Sequence, residues 1–157
     1  MCLPPVVAQL LREVVADGFV LYRCGDPAAP NALAASYQWP DCVDLVVIRD
    51  FDRVTAARVP TPHGGGVDVF APELAVWAYE GPPQWALRAL LNLVHPQHPD
   101  APATTYPAPR SLHVPRTEQR PLAIRPPSPA RAGMRATRLA AAITSPPRQA
   151  RLCLVAR

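Results

Sequence analysis

The fold turns on residues 42–60, Cys42-Val43-Asp44-Leu45-Val46-Val47-Ile48-Arg49, then Asp50-Phe51-Asp52, then Arg53-Val54-Thr55-Ala56-Ala57-Arg58-Val59-Pro60. The first run is almost continuously apolar and β-branched, the pattern of a central strand covered on both faces. Asp50-Phe51-Asp52 supplies turn chemistry, and the run from Arg53 to Val59 returns as a partner strand that Pro60 closes, since proline cannot donate to a ladder.

Working outward, Phe19 to Cys24 is aromatic and β-branched and stops at Gly25-Asp26-Pro27, a turn. A weaker strand runs from Leu33 to Trp39 before Pro40. Ahead of these, Val6, Val7, Leu10, Leu11, Val14 and Val15 recur at helical spacing, with Pro4 and Pro5 to start the helix and Gly18 to end it. On the other side, Val67 to Phe70 and Leu74 to Tyr79 read as strand, bent or split at Pro72. Gly81-Pro82-Pro83 then opens a second helix over Gln84 to Val94, stopped by His95-Pro96. The connections between strands are too short for crossover helices. An α+β fold follows: a mostly antiparallel sheet of about four to five short strands flanked by an N-terminal and a second helix.

Of 157 residues, 16 are Arg, none is Lys and 22 are Pro. This bias reflects a G+C-rich coding sequence as much as selection on the protein. Charge is segregated. Met1 to Asp100 carries 11 acidic and 6 Arg side chains, net −5, whereas Ala101 to Arg157 carries 10 Arg and only Glu118, net +9. Ten prolines fall in those last 57 residues, spaced so that no long element forms before about Ala130. The expected organisation is a compact domain over 1–99 and a largely disordered Pro/Arg-rich tail over 100–157. Within the tail, Arg131, Arg135 and Arg138 at i, i+4 and i+7 line one face of a short basic helix at 130–143, with Met134 and Leu139 elsewhere on it. Gly133 weakens that helix by about 1 kcal/mol relative to alanine, so it forms marginally, or on a partner.

Several constellations invite chemistry and fall short of it. His63-Gly64-Gly65-Gly66 matches an esterase oxyanion string, but no G-x-S-x-G accompanies it. The glycines do not make a phosphate-binding loop in a chain without lysine. Cys24, Cys42, His95 and His98 contain the donors of a zinc site at no standard spacing, and two strand cysteines are more often small buried hydrophobes. Cys42 with His63 and Asp44 is the least implausible reactive cluster. Asp50 and Asp52 sit beside Arg49 and Arg53, as at a solvated hairpin end. Trp39, Trp77, Trp85 and Tyr79 lack interleaved basic residues and read as core. No catalytic, cofactor-binding or metal-binding residue is assigned.

The stretches Gly18 to Gly25, Arg49 to Pro60, Val76 to Pro96 and, more loosely, Ser111 to Pro115 resemble a group of small proteins from high-G+C actinobacteria. That resemblance implies no activity.

The leading expectation is a non-enzymatic cytoplasmic protein that binds an unidentified protein partner through its sheet edge or acidic face. The N-terminus lacks the pattern of a signal peptide, no apolar stretch nears the roughly 18–20 residues of a membrane span, and the four cysteines suggest no disulfide framework. The alternative is an accessory nucleic-acid-binding protein that meets phosphates nonspecifically through Arg131, Arg135 and Arg138. A small enzyme is the third reading, and against a functional role for the charge split stands the plainer reading that the disordered Arg-rich tail is a by-product of coding bias that folds back loosely on the acidic body.

Overall fold

The structure is a computed structural model that describes residues 4–50, 52–61, 68–121 and 134–144. Helix α1 (Pro5–Ala16) leads into strands β1 (Val20–Gly25), β2 (Pro30–Gln38), β3 (Cys42–Asp50) and β4 (Arg53–Pro60). Then come β5 (Leu74–Ala75), β6 (Trp77–Gly81), α2 (Pro83–Leu91), β7 (Tyr106–Pro107), β8 (Gln119–Pro121) and helix α3 (Met134–Thr144). Six strands form one antiparallel sheet in the order β6-β4-β3-β2-β1-β8, while β5 and β7 pair separately. The α+β class is as the residues predict, with more strands than expected.

Strand β3 lies inside the sheet, and its residues from Cys42 to Ile48 are all buried. Side chains alternate between two cores, as a pleated strand requires. Cys42, Val46 and Ile48 face the helices, packed with Val7, Leu10 and Val14 of α1 and Ala86, Leu87, Leu90 and Leu91 of α2. Val43, Leu45 and Val47 face the opposite layer, with Phe70, Ala75, Leu112 and Val114. Burial of each such Val or Leu contributes about 1.5–3 kcal/mol relative to exposure.

α1 starts as expected, with Pro4 as N-cap and Pro5 in its first turn, and Gly18 at φ 99° lets the chain reverse into Phe19. α2 ends three residues before the predicted Val94. Its last carbonyls are taken by arginine side chains instead of continuing the ladder: Arg135 Nη2 donates to Leu90 O at 3.1 Å, Arg138 Nη2 to Leu91 O at 3.2 Å, and Arg58 Nη1 to Val94 O, just beyond the helix, at 2.7 Å.

Three other expectations change. Residues 68–71 form a turn rather than a strand, because the Asp68 carboxylate accepts the Phe70 N–H at 3.1 Å and competes with ladder pairing. The break in the next strand falls at Val76, between β5 and β6, not at Pro72. Trp85 is not core: it sits in the first turn of α2, 54% exposed, with Arg88 over its ring, because the inward stripe of that helix is Ala86, Leu87, Leu90 and Leu91.

Packing also continues past residue 99. Leu112 and Val114 are fully buried, Val114 N–H donates to Phe70 O, and β8 adds to the edge of the sheet beside β1. Polar pins hold this stretch: Gln119 Nε2 donates to Asp68 Oδ1 and Val114 O, Ser111 Oγ to Glu80 Oε1, and Arg49 Nη2 to His113 O. Leucine and valine at 112 and 114 were hidden by the surrounding prolines, which keep the elements here to two or three residues without preventing burial of single side chains. Helix α3 falls within the predicted 130–143 region and extends to Thr144, and its Leu139 joins the helix-side core.

Candidate functional site: a buried arginine in an aromatic recess

Two charged residues interrupt the apolar hairpin of β3 and β4, Asp44 and Arg58, and the antiparallel register sets them directly opposite each other on the helix side. Both are essentially excluded from solvent. Arg58 grips Asp44 with two bonds, Nε to Oδ1 at 2.6 Å and Nη2 to Oδ2 at 2.9 Å. Such bidentate geometry is the strong form of this pair. Trp39, held just after β2 by a backbone bond to Cys42 O, donates its indole N–H to Asp44 Oδ2 at 2.9 Å.

The fourth bond comes from far along the chain. Arg135 of α3 reaches into the same recess and donates Nη2 to Asp44 Oδ2 at 2.8 Å, with its side chain fully buried. Its guanidinium carbon lies 5.0, 5.4 and 5.8 Å from the ring centroids of Phe19, Tyr37 and Trp39. Those rings also touch in sequence, Phe19 to Tyr37 at 5.5 Å and Tyr37 to Trp39 at 4.8 Å, so the recess has a continuous aromatic wall. Cation–π attraction at a desolvated site contributes about 2 kcal/mol.

The rim is ionic. Asp17, at the end of α1, lies 3.6 Å from Arg135 Nη1 and accepts a 2.6 Å bond from Arg138 Nη2. Two carboxylates therefore serve three guanidinium groups. Arg135 is held less fully than Arg58, because its buried Nε and Nη1 donate no hydrogen bond. Burial raises the pKa of Tyr37, while Arg135 and a hydrogen bond from the Ala136 backbone act in the opposite direction. That bond also satisfies an N–H in the first turn of α3. Beside Arg138 a groove of about 500 Å³ opens between α1 and α2, lined in part by Leu10, Glu13, Asp17 and Leu91.

Of the three arginines singled out by their spacing, Arg135 and Arg138 are brought together on the body, and Arg131 lies outside the described residues. Their face is turned inward. Leu139 lies on that same face, not elsewhere on the helix. The zinc constellation does not assemble: Cys42 belongs to the helix-side core and Cys24 to the opposite one. His95 packs edge-on against Trp39, and among the described residues no group of three His, Cys, Asp or Glu side chains is placed to hold a metal ion. Burial pushes the Cys42 thiol up to about 12, which keeps it protonated and poorly nucleophilic. His63 and the glycines after it lie outside the described residues, and Asp44 is engaged by three side chains.

Asp17, Phe19, Tyr37, Trp39 and Arg58 are the site residues that spacing alone did not reveal. The available signal was one carboxylate and one guanidinium within the buried runs 42–48 and 54–59, which must meet across the hairpin to be tolerated. Compared with known proteins, the chain matches no protein family, no curated protein and no solved structure.

Proposed function

We propose that the chain is a non-enzymatic interaction protein of the cytoplasm, in which the acidic body and the arginine-bearing helix α3 form two halves of one binding device. Docked, the helix masks Arg135, about half of Arg138 and the recess that receives them. A protein partner engages the device when the halves separate.

One observation carries this reading: the opposite charges of the two parts of the chain meet through Asp17 and Asp44 with Arg135 and Arg138. Leu139 is buried in the helix-side core with Ala136 packed against that core, and the two arginines supply the polar hold. A docked helix whose buried guanidinium is under-bonded separates at less cost than one whose polar groups are all satisfied. The interior charges are paired with one another rather than turned towards a substrate. Two free thiols buried on opposite sheet faces suit a reducing compartment, and no helix among the described residues is long and apolar enough to cross a membrane.

Photo-crosslinking of the full chain in extract of its source cells, as wild type and as the Arg135→Ala/Arg138→Ala variant, tests the proposal. A discrete crosslinked protein whose yield changes between the two supports it. Turnover of a small substrate with no crosslinked protein in either would overturn it.

Nucleic acid remains a second reading because Arg138 keeps about half of its side chain exposed. Phosphates would have to displace Asp17 and Asp44 from the two arginines. Binding would then weaken steeply with salt and strengthen when Asp17 is replaced by Asn.

A further inference from the structure

We propose that the recess of Phe19, Tyr37 and Trp39 over Asp44 is an arginine-receptor site, occupied here in cis, whose ligand in trans is a helical protein segment carrying the pattern Arg-x-x-Arg-Leu. The inference rests on the interaction reading above and names the chemistry of the partner.

The ligand is legible because the chain supplies one. Arg135, Arg138 and Leu139 of α3 each find a distinct receiver: the aromatic recess and Asp44, the rim carboxylate Asp17, and the helix-side core. In α-helical geometry these three positions share one face, so the receivers define a spacing as well as a charge. The flat aromatic walls match a planar guanidinium, whose Nη2 donates both to Asp44 Oδ2 and to Leu90 O, whereas an ammonium cannot stack and donates as a point charge. The recess also takes in two backbone carbonyls at the end of α2, Leu90 O and Leu91 O, where the negative end of that helix favours a cation.

The cis ligand fits imperfectly. Nε and Nη1 of Arg135 are buried without a hydrogen bond, a defect that weakens the docked state relative to a fully satisfied one. The groove between α1 and α2 reaches Asp17 and Arg138, so an incoming helix has an open, partly acidic approach to the rim. A site whose own occupant is under-bonded and bordered by an open groove is suited to exchange.

The probe is a synthetic peptide of residues 134–144, titrated into the full chain carrying Arg135→Ala and followed by Trp39 fluorescence. Saturable one-to-one binding is expected, with a peptide bearing lysine in place of its first arginine weaker by about tenfold or more. The wild-type chain binds the same peptide more weakly, because its tethered helix competes at high effective concentration. Absence of saturable binding, or equal binding of the lysine peptide, overturns the proposal.

Hydrogen exchange on the wild-type chain gives a second reading that needs no variant to fold. Peptide in excess should speed exchange of the chain's own residues 134–144, and unchanged exchange at saturating peptide counts against exchange at the site. A failed peptide titration with a partner still crosslinked in extract discards this ligand and leaves the interaction reading. Peptide binding with turnover and no partner does the reverse.

Discussion

Replacing Asp44 with Asn removes one negative charge from a site where it accepts four hydrogen bonds: two from Arg58, one from Trp39 and one from Arg135. Two buried guanidinium groups then lose their carboxylate, and the new amide turns N–H groups towards donors. Breaking a buried pair from one side costs about 3–5 kcal/mol. That is a large share of the roughly 5–15 kcal/mol by which a domain of this size is stable. With a urea dependence near 2 kcal/mol per molar, the midpoint should fall by about 2 M. Arg135→Met makes the contrast. Asp44 keeps both bonds from Arg58 and the bond from Trp39, two nitrogens without a hydrogen bond disappear with the guanidinium, and the thioether lies against three rings. The expected change is within about 1 kcal/mol, since an apolar replacement of a buried charge offsets the lost pair. Urea denaturation of both variants, monitored by tryptophan fluorescence, checks the pair. A cost below about 1 kcal/mol for Asp44→Asn, or equal costs for the two variants, would refute the view that Asp44 is the organising charge.

Leu112→Ala should destabilise the chain by about 2–5 kcal/mol in the same assay, because a fully buried leucine beyond residue 100 leaves a cavity under the sheet; a loss below 0.5 kcal/mol, within the roughly ±0.5 kcal/mol of a surface change, would place that segment outside the core. His95 has its pKa lowered in the fold by burial and then by Arg58, so on acidification the unfolded chain binds the proton first. Stability is accordingly full above the ordinary value of 6.5 and declines as pH falls through it, a slope that His95→Gln should flatten in thermal scans. Iodoacetamide at pH 8 should leave Cys42 unmodified in the native chain and label it in guanidinium chloride, as read by peptide mass spectrometry; native labelling would mean that the thiol is not kept protonated by burial. Gly25→Ala should cost about 1–2 kcal/mol, since φ is +98° there and an added Cβ would lie 2.9 Å from the Asn31 backbone nitrogen.

Local chemistry made much of the fold legible. The apolar run at 42–48, the Asp-rich turn after it and the prolines that open both early helices each act over a few residues, so their meaning is readable without knowing what lies across the molecule. The site was less legible because it depends on distance. Asp44 looked like a member of a reactive cluster with Cys42, whereas in the hairpin its neighbour is Arg58, and only the register of the two strands shows this. Arg135 reads as a contact for phosphates or an anionic partner for the same reason: charge and helical spacing identify a face, not what that face meets. Leu112 and Val114 illustrate a third limit. Proline-rich stretches without periodicity can still contribute isolated apolar side chains to a core assembled by other elements.

Strands β1 to β4 follow one another as simple hairpins, so Arg58 stands 14 residues from Asp44 in sequence, whereas Arg135 stands 91 residues away. Residues 106–121 arrive later to roof one side, and α3 arrives last to add a second cation to a site already in charge balance. The inner pair thus closes a short loop and the outer arginine a long one, so the entropy of loop closure weighs more heavily against Arg135 than against Arg58.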